Sequence, residues 1–181
     1  MDIENTPLKD CFIIKPKIHK DHRGIFFETF NEKDFREASG ITTPFVQDNQ
    51  SCSTRGVLRG LHFQTGEMAQ AKLVRVAKGE VLDVVVDLRK DSESFGKSFW
   101  VVLNDENHWL LYVPRGFAHG FVTLSETAVF CYKCDNFYHK ESESGIVYND
   151  ATLSIDWHLS EEELIVVERD LELPTYEEAI R

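Results

Sequence analysis

Alternation broken by tight turns constrains this chain more than any other feature. The run AKLVRVAKGEVLDVVVDLR is apolar and β-branched on both sides of a break at Lys78-Gly79. KSFWVVLNDENHWLLYVP breaks at a polar turn around Asn104 to Asn107, and AHGFVTLSETAVFCYKCDNF breaks near Ser125-Glu126. Segments of this kind are half-buried strands, and the polar breaks between them are hairpin turns. CFIIKPKI, GVLRGLHFQ and TLSIDW extend the series. Helical signals are few. NEKDFREASG predicts a helix with Asn31 as N-cap and Gly40 as stop; SEEELI opens on a capping box of Ser160 and Glu163; TYEEAI after Pro174 predicts a further short helix. Strands at short spacing without intervening helices predict an all-β sandwich or small barrel and not βα units. The jelly-roll barrel, whose mouth often holds a small ligand, fits best. With 181 residues and no linker, repeat or low-complexity tract, a single domain over 1–181 is expected.

The formal net charge of −11 argues against nucleic acid or an anionic membrane as partner, because polyphosphate binding needs an extended basic surface. A single nucleotide stays open, since a few local Arg or Lys side chains hold a diphosphate whatever the global charge. No apolar run reaches membrane-spanning length, and MDIENTPLKDCFIIKPK lacks the basic-then-apolar order of a signal peptide. Four cysteines are too few for a disulfide framework at this length, so a reducing cytoplasm is expected. Cys131 and Cys134 form a C-x-x-C, but one such pair is half a zinc shell, and Cys11 and Cys52 are isolated. Their surroundings read as a strand, on which positions three apart face opposite ways.

GVLRGLHFQ sets an arginine and a histidine among Val57, Leu58, Leu61 and Phe63. In a regular strand Arg59 and His62 would point apart. Gly60 lies between them, and an interior glycine often marks a bulge that would turn both to one face. On this stretch alone a hydrogen-bonded core histidine and an exposed arginine are the better reading. YVPRGFAHGF shifts the balance, because Pro114-x-Gly116-x-x-His119 has the spacing of the second cupin motif, whose histidine often binds metal. The first cupin motif would need a second histidine, yet His62 is followed by Phe63 and Gln64. Two scattered histidines without a carboxylate make a poor metal site, so the interior histidines should serve another purpose.

DHRGIFFETF, VQDNQSCSTRGVLRGLHFQ, AQAKLVRVAKGEVLDVVVDLR, YVPRGFAHGF and YKCDNFYHKESESGI resemble, in order and spacing, the dTDP-4-dehydrorhamnose 3,5-epimerases. The resemblance runs from about residue 8 to 172. It implies a cofactor-free, metal-free, cupin-like jelly roll that forms homodimers and acts on a dTDP-linked 4-keto-6-deoxy sugar. An N-terminal strand around Cys11 to Ile18 would then pair with the partner's sheet. Inverting a stereocentre beside a ketone needs a base on one face, a proton donor on the other and stabilisation of the enolate. The resemblance places the base at His62 with Asp170 as its orienting carboxylate, the donor at Tyr132, and a cation near the keto oxygen at Lys72. It carries ligand binding to Arg23, Glu28, Gln47, Asn49, Arg59, His119, Glu143 and Arg169, and thymine stacking to Tyr138. His22 and Arg115 stand where the family usually has acidic residues. Three other readings are a single-site epimerase of the same fold, a metal-dependent cupin oxygenase and a non-catalytic sugar-nucleotide binding module.

Overall fold

Alternating segments become paired strands almost wherever the sequence shows them. The computed structural model describes residues 1–181. The chain opens with β1 (Asp2–Asn5) and β2 (Phe12–Lys15), then a small hairpin of β3 (His19–Asp21) and β4 (Gly24–Phe26). Helix α1 (Glu32–Ser39) follows, and its ends obey local chemistry. The Asn31 side chain accepts from the Asp34 N–H, and Gly40 closes the helix at φ 73°, a left-handed conformation glycine adopts without a Cβ clash. Next come β5 (Gln47–Thr54), β6 (Val57–Gln64), β7 (Lys72–Lys78), β8 (Glu80–Asp87), β9 (Ser98–Asn104), β10 (Leu110–Val113), β11 (Phe117–Thr123) and β12 (Thr127–Cys134). The tail holds β13 (Glu143–Gly145), β14 (Ile165–Val166), α2 (Glu168–Leu171) and α3 (Tyr176–Ala179).

One sheet runs β1-β2-β10-β7-β12-β5 and the other β13-β6-β11-β8-β9, with β14 beside β6. They face each other as a cupin-like jelly roll. Val74, Val76, Val85, Leu103, Leu111, Phe121 and Phe130 fill the space between them. The outer face of the first sheet buries Phe12, Ile14, Leu73 and Tyr112 under Phe35 of α1. The outer face of the second sheet is covered by the tail, through Ile146, Tyr148, Trp157 and Tyr176. Because β8 is covered on both faces, seven of its eight residues are buried, which explains its unbroken valine run.

One expectation needs correction. TLSIDW is no strand: the Asp150 carboxylate accepts from the Thr152 and Leu153 N–H groups at 2.9 and 3.0 Å, winding the segment into a turn. Within this chain β2, the strand in CFIIKPKI, pairs with β1 on one edge and β10 on the other. The capping box at Ser160 and Glu163 and the helix after Pro174 are both present.

Candidate active site

Between the two sheets opens a pocket of about 880 Å3, within the usual range for a small-ligand site. β6 brings Arg59 and His62 to it together. His62 pairs with His119 of β11 and Arg59 with Phe121, so Gly60 and Leu61 on β6 stand against Gly120 alone on β11. That is the bulge the glycine suggested. Gly60 sits at φ 118°, and a β-carbon there would come 2.7 Å from the Gly120 Cα and the His119 carbonyl, so only glycine fits. The facing wall comes from the other sheet: Gln47, Asn49 and Ser51 on β5, Lys72 on β7, and Phe130, Tyr132 and Cys134 on β12. His62 and Tyr132 therefore face one cavity from opposite sheets.

Each pocket histidine is held by a buried carboxylate. His62 Nε2 lies 3.0 Å from Asp170 Oδ1, and the Gly60 N–H donates to Asp170 Oδ2 at 3.3 Å. Asp170 is 2% exposed; burial alone would push its carboxyl up, but the hydrogen bonds from His62 and Gly60 prevail and hold it below its ordinary value. His119 Nε2 lies 2.9 and 3.1 Å from the two oxygens of the fully buried Asp83.

Two of the pocket's cations, Lys72 and Arg59, have no carboxylate partner. Lys72 makes no ion pair, and burial pulls its ammonium below the ordinary lysine range. Arg59 has only Ser53 Oγ, 3.3 Å from its Nε. Guanidinium and ammonium groups left without carboxylates in a chain this acidic are prepared for an anionic ligand. Burial raises the Tyr132 hydroxyl above its usual value, keeping it protonated near neutrality.

At the mouth a chain of polar contacts aligns the remaining side chains. Tyr138 donates its hydroxyl to Glu143 Oε2 at 2.9 Å and its N–H to Gln47 Oε1 at 3.1 Å. Gln47 donates onward to Asn49 Oδ1 at 3.1 Å, and Arg169 Nε stands 3.4 Å from Asp170 Oδ1. Tyr138 is 52% exposed, and an aromatic ring at the mouth can stack on a base.

Of the residues assigned from sequence, only Arg23 and Glu28 lie outside this chain's pocket. Arg23 is on the β3–β4 hairpin with its guanidinium on Asp21, and Glu28 lines a separate cavity of about 240 Å3 beneath that hairpin. Sequence reasoning misses Asp83, Ser51, Ser53, Phe121 and Phe130. The signal for Asp83 was a carboxylate inside an otherwise apolar run, EVLDVVVDL. Arg115, a departure from the family pattern, donates to Asp135 Oδ2 at 2.8 Å. Cys131 and Cys134 lie on β12 as expected, with Cys131 near Gln50 Oε1 and Cys134 near Asn49.

A jelly roll with a carboxylate-held histidine, a protonated tyrosine and free cations round one cavity is a cupin-like fold equipped for proton transfer on a bound anion. The family model described as dTDP-4-dehydrorhamnose 3,5-epimerase matches residues 5–178. A dTDP-4-dehydrorhamnose 3,5-epimerase of Escherichia coli is 48% identical over 181 residues, covering 100% of this chain and 97% of the relative. The crystal structure of the Elizabethkingia anophelis enzyme of that name superposes with a TM-score of 0.96 at 55% identity, over 100% of this chain and 99% of the other. A dTDP-6-deoxy-D-glucose-3,5-epimerase from Legionella pneumophila, solved in complex with dTDP-4-keto-L-rhamnose, gives 0.92 at 48% identity, over 96% and 92%. The chain belongs to the dTDP-4-dehydrorhamnose 3,5-epimerase family.

Proposed function

We propose that this protein inverts C3 and C5 of dTDP-4-dehydro-6-deoxyglucose, yielding dTDP-4-dehydrorhamnose for deoxysugar synthesis of the rhamnose type. The observation that carries the reading is the placement of His62 and Tyr132 on opposite sheets across one cavity. The C4 carbonyl acidifies the hydrogens on both neighbouring carbons, so the chemistry is proton transfer without net oxidation. His62 takes the C–H proton, and Asp170 orients the imidazole and stabilises the imidazolium that forms. The electron pair moves onto the C4 oxygen as an enolate, which the unpaired Lys72 ammonium stabilises. Tyr132 returns a proton to the same carbon from the other face, and the ketone re-forms. The net change at that carbon is inversion. His62 then loses its proton and Tyr132 regains one by exchange with solvent, which readies the site for the second carbon. Arg59 holds the diphosphate, Gln47 and Asn49 the adjoining polar groups, and Tyr138 stacks on thymine. His119, Glu143 and Arg169 complete the lining.

We further propose that the enzyme is a cytoplasmic homodimer. Arg23 and Glu28 then serve the partner's pocket, because the hairpin between β3 and β4 projects Ile25 and Phe26 at 49% and 70% exposure. The test of function is incubation with dTDP-4-dehydro-6-deoxyglucose in deuterated water, with NMR of the product. Deuterium at both C3 and C5 with the L-lyxo configuration supports the reading; label and inversion at one carbon only would replace it with a single-site epimerase.

A further inference from the structure

Asp170 stands on a very short platform. Helix α2 has four residues and β14 ahead of it two, yet the carboxylate is buried and within 3.0 Å of His62. Beyond Val166, which packs on the core, the apolar neighbours of Asp170 contribute little anchorage, for Val167 and Leu171 are 54% and 52% exposed. What places so short a segment is contact at both ends with strands already fixed by the barrel.

At the leading end the Ile165 N–H donates to the Gly56 carbonyl at 2.8 Å, and Ile165 and Val166 run parallel to Val57 and Leu58. A β-carbon on Gly56 would stand 2.1 Å from the Glu163 carbonyl oxygen, so this approach needs glycine. At the trailing end, three residues past Asp170, Leu173 sits on Gly145. Its two δ-carbons lie 2.8 and 2.9 Å from where a β-carbon on Gly145 would be. Gly145 is the residue of β13 directly opposite His62. The Val147 N–H donates to the Pro174 carbonyl at 2.9 Å and closes the end. Leu173 is thus seated on the strand pair that carries the histidine, while Asp170 is carried by the segment that Leu173 ends.

We propose that Leu173, seated on Gly145, is a positioning residue for epimerisation that sets the reach of Asp170 to His62. This rests on the reading of Asp170 as the orienting partner of His62. A carboxylate that orients an imidazole works only within a few tenths of an ångström and some ten to twenty degrees, so an anchor this near the pair governs the rate without touching the ligand.

The test is a double-mutant cycle with Asp170→Asn. Leu173→Ala removes the methyls over Gly145 and is expected to lower kcat roughly tenfold, the usual scale for a group supporting a catalytic ligand. Affinity for dTDP stays within about twofold, and Leu173→Met keeps near-parental turnover. In the Asp170→Asn background Leu173→Ala costs nothing more, because the contact it positions is already gone. Leu173→Val, with a shorter side chain, gives an intermediate loss and is read in the same cycle if the alanine variant does not fold. Parental kcat in both shortened variants beside an impaired Asp170→Asn overturns the anchoring role alone. A loss that persists in full on top of Asp170→Asn also overturns it, since Leu173 would then act elsewhere. An unimpaired Asp170→Asn overturns this inference and the reading of Asp170 together.

Discussion

Deleting one oxygen from Tyr132 separates proton removal from proton return. Tyr132→Phe keeps the ring packed near Phe130, whose centroid is 6.0 Å away, and removes only the hydroxyl. His62 can still form the enolate and reprotonate it on the original face. The variant should therefore exchange substrate hydrogens with deuterated solvent while forming far less inverted product, with stability within about 1 kcal/mol of the parent. Normal inversion by this variant would return Tyr132 to the role of a strand tyrosine. His62→Ala removes the base itself and should cost on the order of 10²–10⁴-fold in turnover with dTDP binding intact, measured by product NMR and calorimetry. At this scale the bulge that joins Arg59 to His62 was legible because Gly60 advertises it. The pairing of His62 with Asp170 was not, for they are 108 residues apart and only the family resemblance connected them. Asp83 was likewise unread as the partner of His119, since no local pattern tells which histidine a distant carboxylate will meet.

Among the elements, the loop joining β8 to β9 is tied to the N-terminal segment by one buried carboxylate. Asp87 is fully buried and accepts from Arg89, Ser92 and Ser94, while Arg89 also reaches Asp10 and the Lys9 carbonyl. Burial pushes the Asp87 carboxyl up, but these donors outweigh it and bring it from 3.8 to about 2. A depressed folded pKa means stability present in full above the unfolded value and lost as pH falls through the folded one. Asp87→Asn should therefore cost about 2 kcal/mol in urea unfolding at pH 7, with the gap to the parent narrowing from about pH 4 toward pH 2. A gap independent of pH would assign the effect to packing and not to charge. The same reasoning shows which elements were readable. α1 was, because Asn31 and Gly40 each act locally; Phe35→Ala should cost about 3–5 kcal/mol by thermal unfolding, as Phe35 is 1% exposed among Phe12, Phe30, Phe45 and Tyr112. β5, QDNQSCST, was not recognised as a strand because the apolar alternation that marks strands is missing on both its faces. Its inward residues Gln47, Asn49 and Ser51 line the cavity between the sheets, where polar side chains replace the apolar ones that identify a strand.

Across the whole molecule, the position of the β3–β4 hairpin decides how many chains make one site. All the other residues assigned to the ligand converge on one cavity, and only Arg23 in this hairpin and Glu28 just beyond it stand away from it. The hairpin forms a separate two-stranded sheet with large apolar side chains facing solvent. If two chains exchange hairpins, each cavity draws His62 from one subunit and Arg23 from the other. Take Arg23→Ala and His62→Ala chains carrying different affinity tags, co-expressed, with the mixed dimer isolated by both tags. One of its cavities then combines an intact His62 with an intact Arg23, and the other lacks both. Closed two-fold exchange thus predicts about half the parental turnover in the mixed dimer, although each variant alone is impaired at every site. A hairpin that served its own chain would leave one defect in each cavity, and the mixed dimer would be no better than the mean of the two variants. Light scattering on the parent must first give a dimer at micromolar concentration; a stable monomer there defeats the exchange, and with it the assignment of Arg23 and Glu28 to ligand binding.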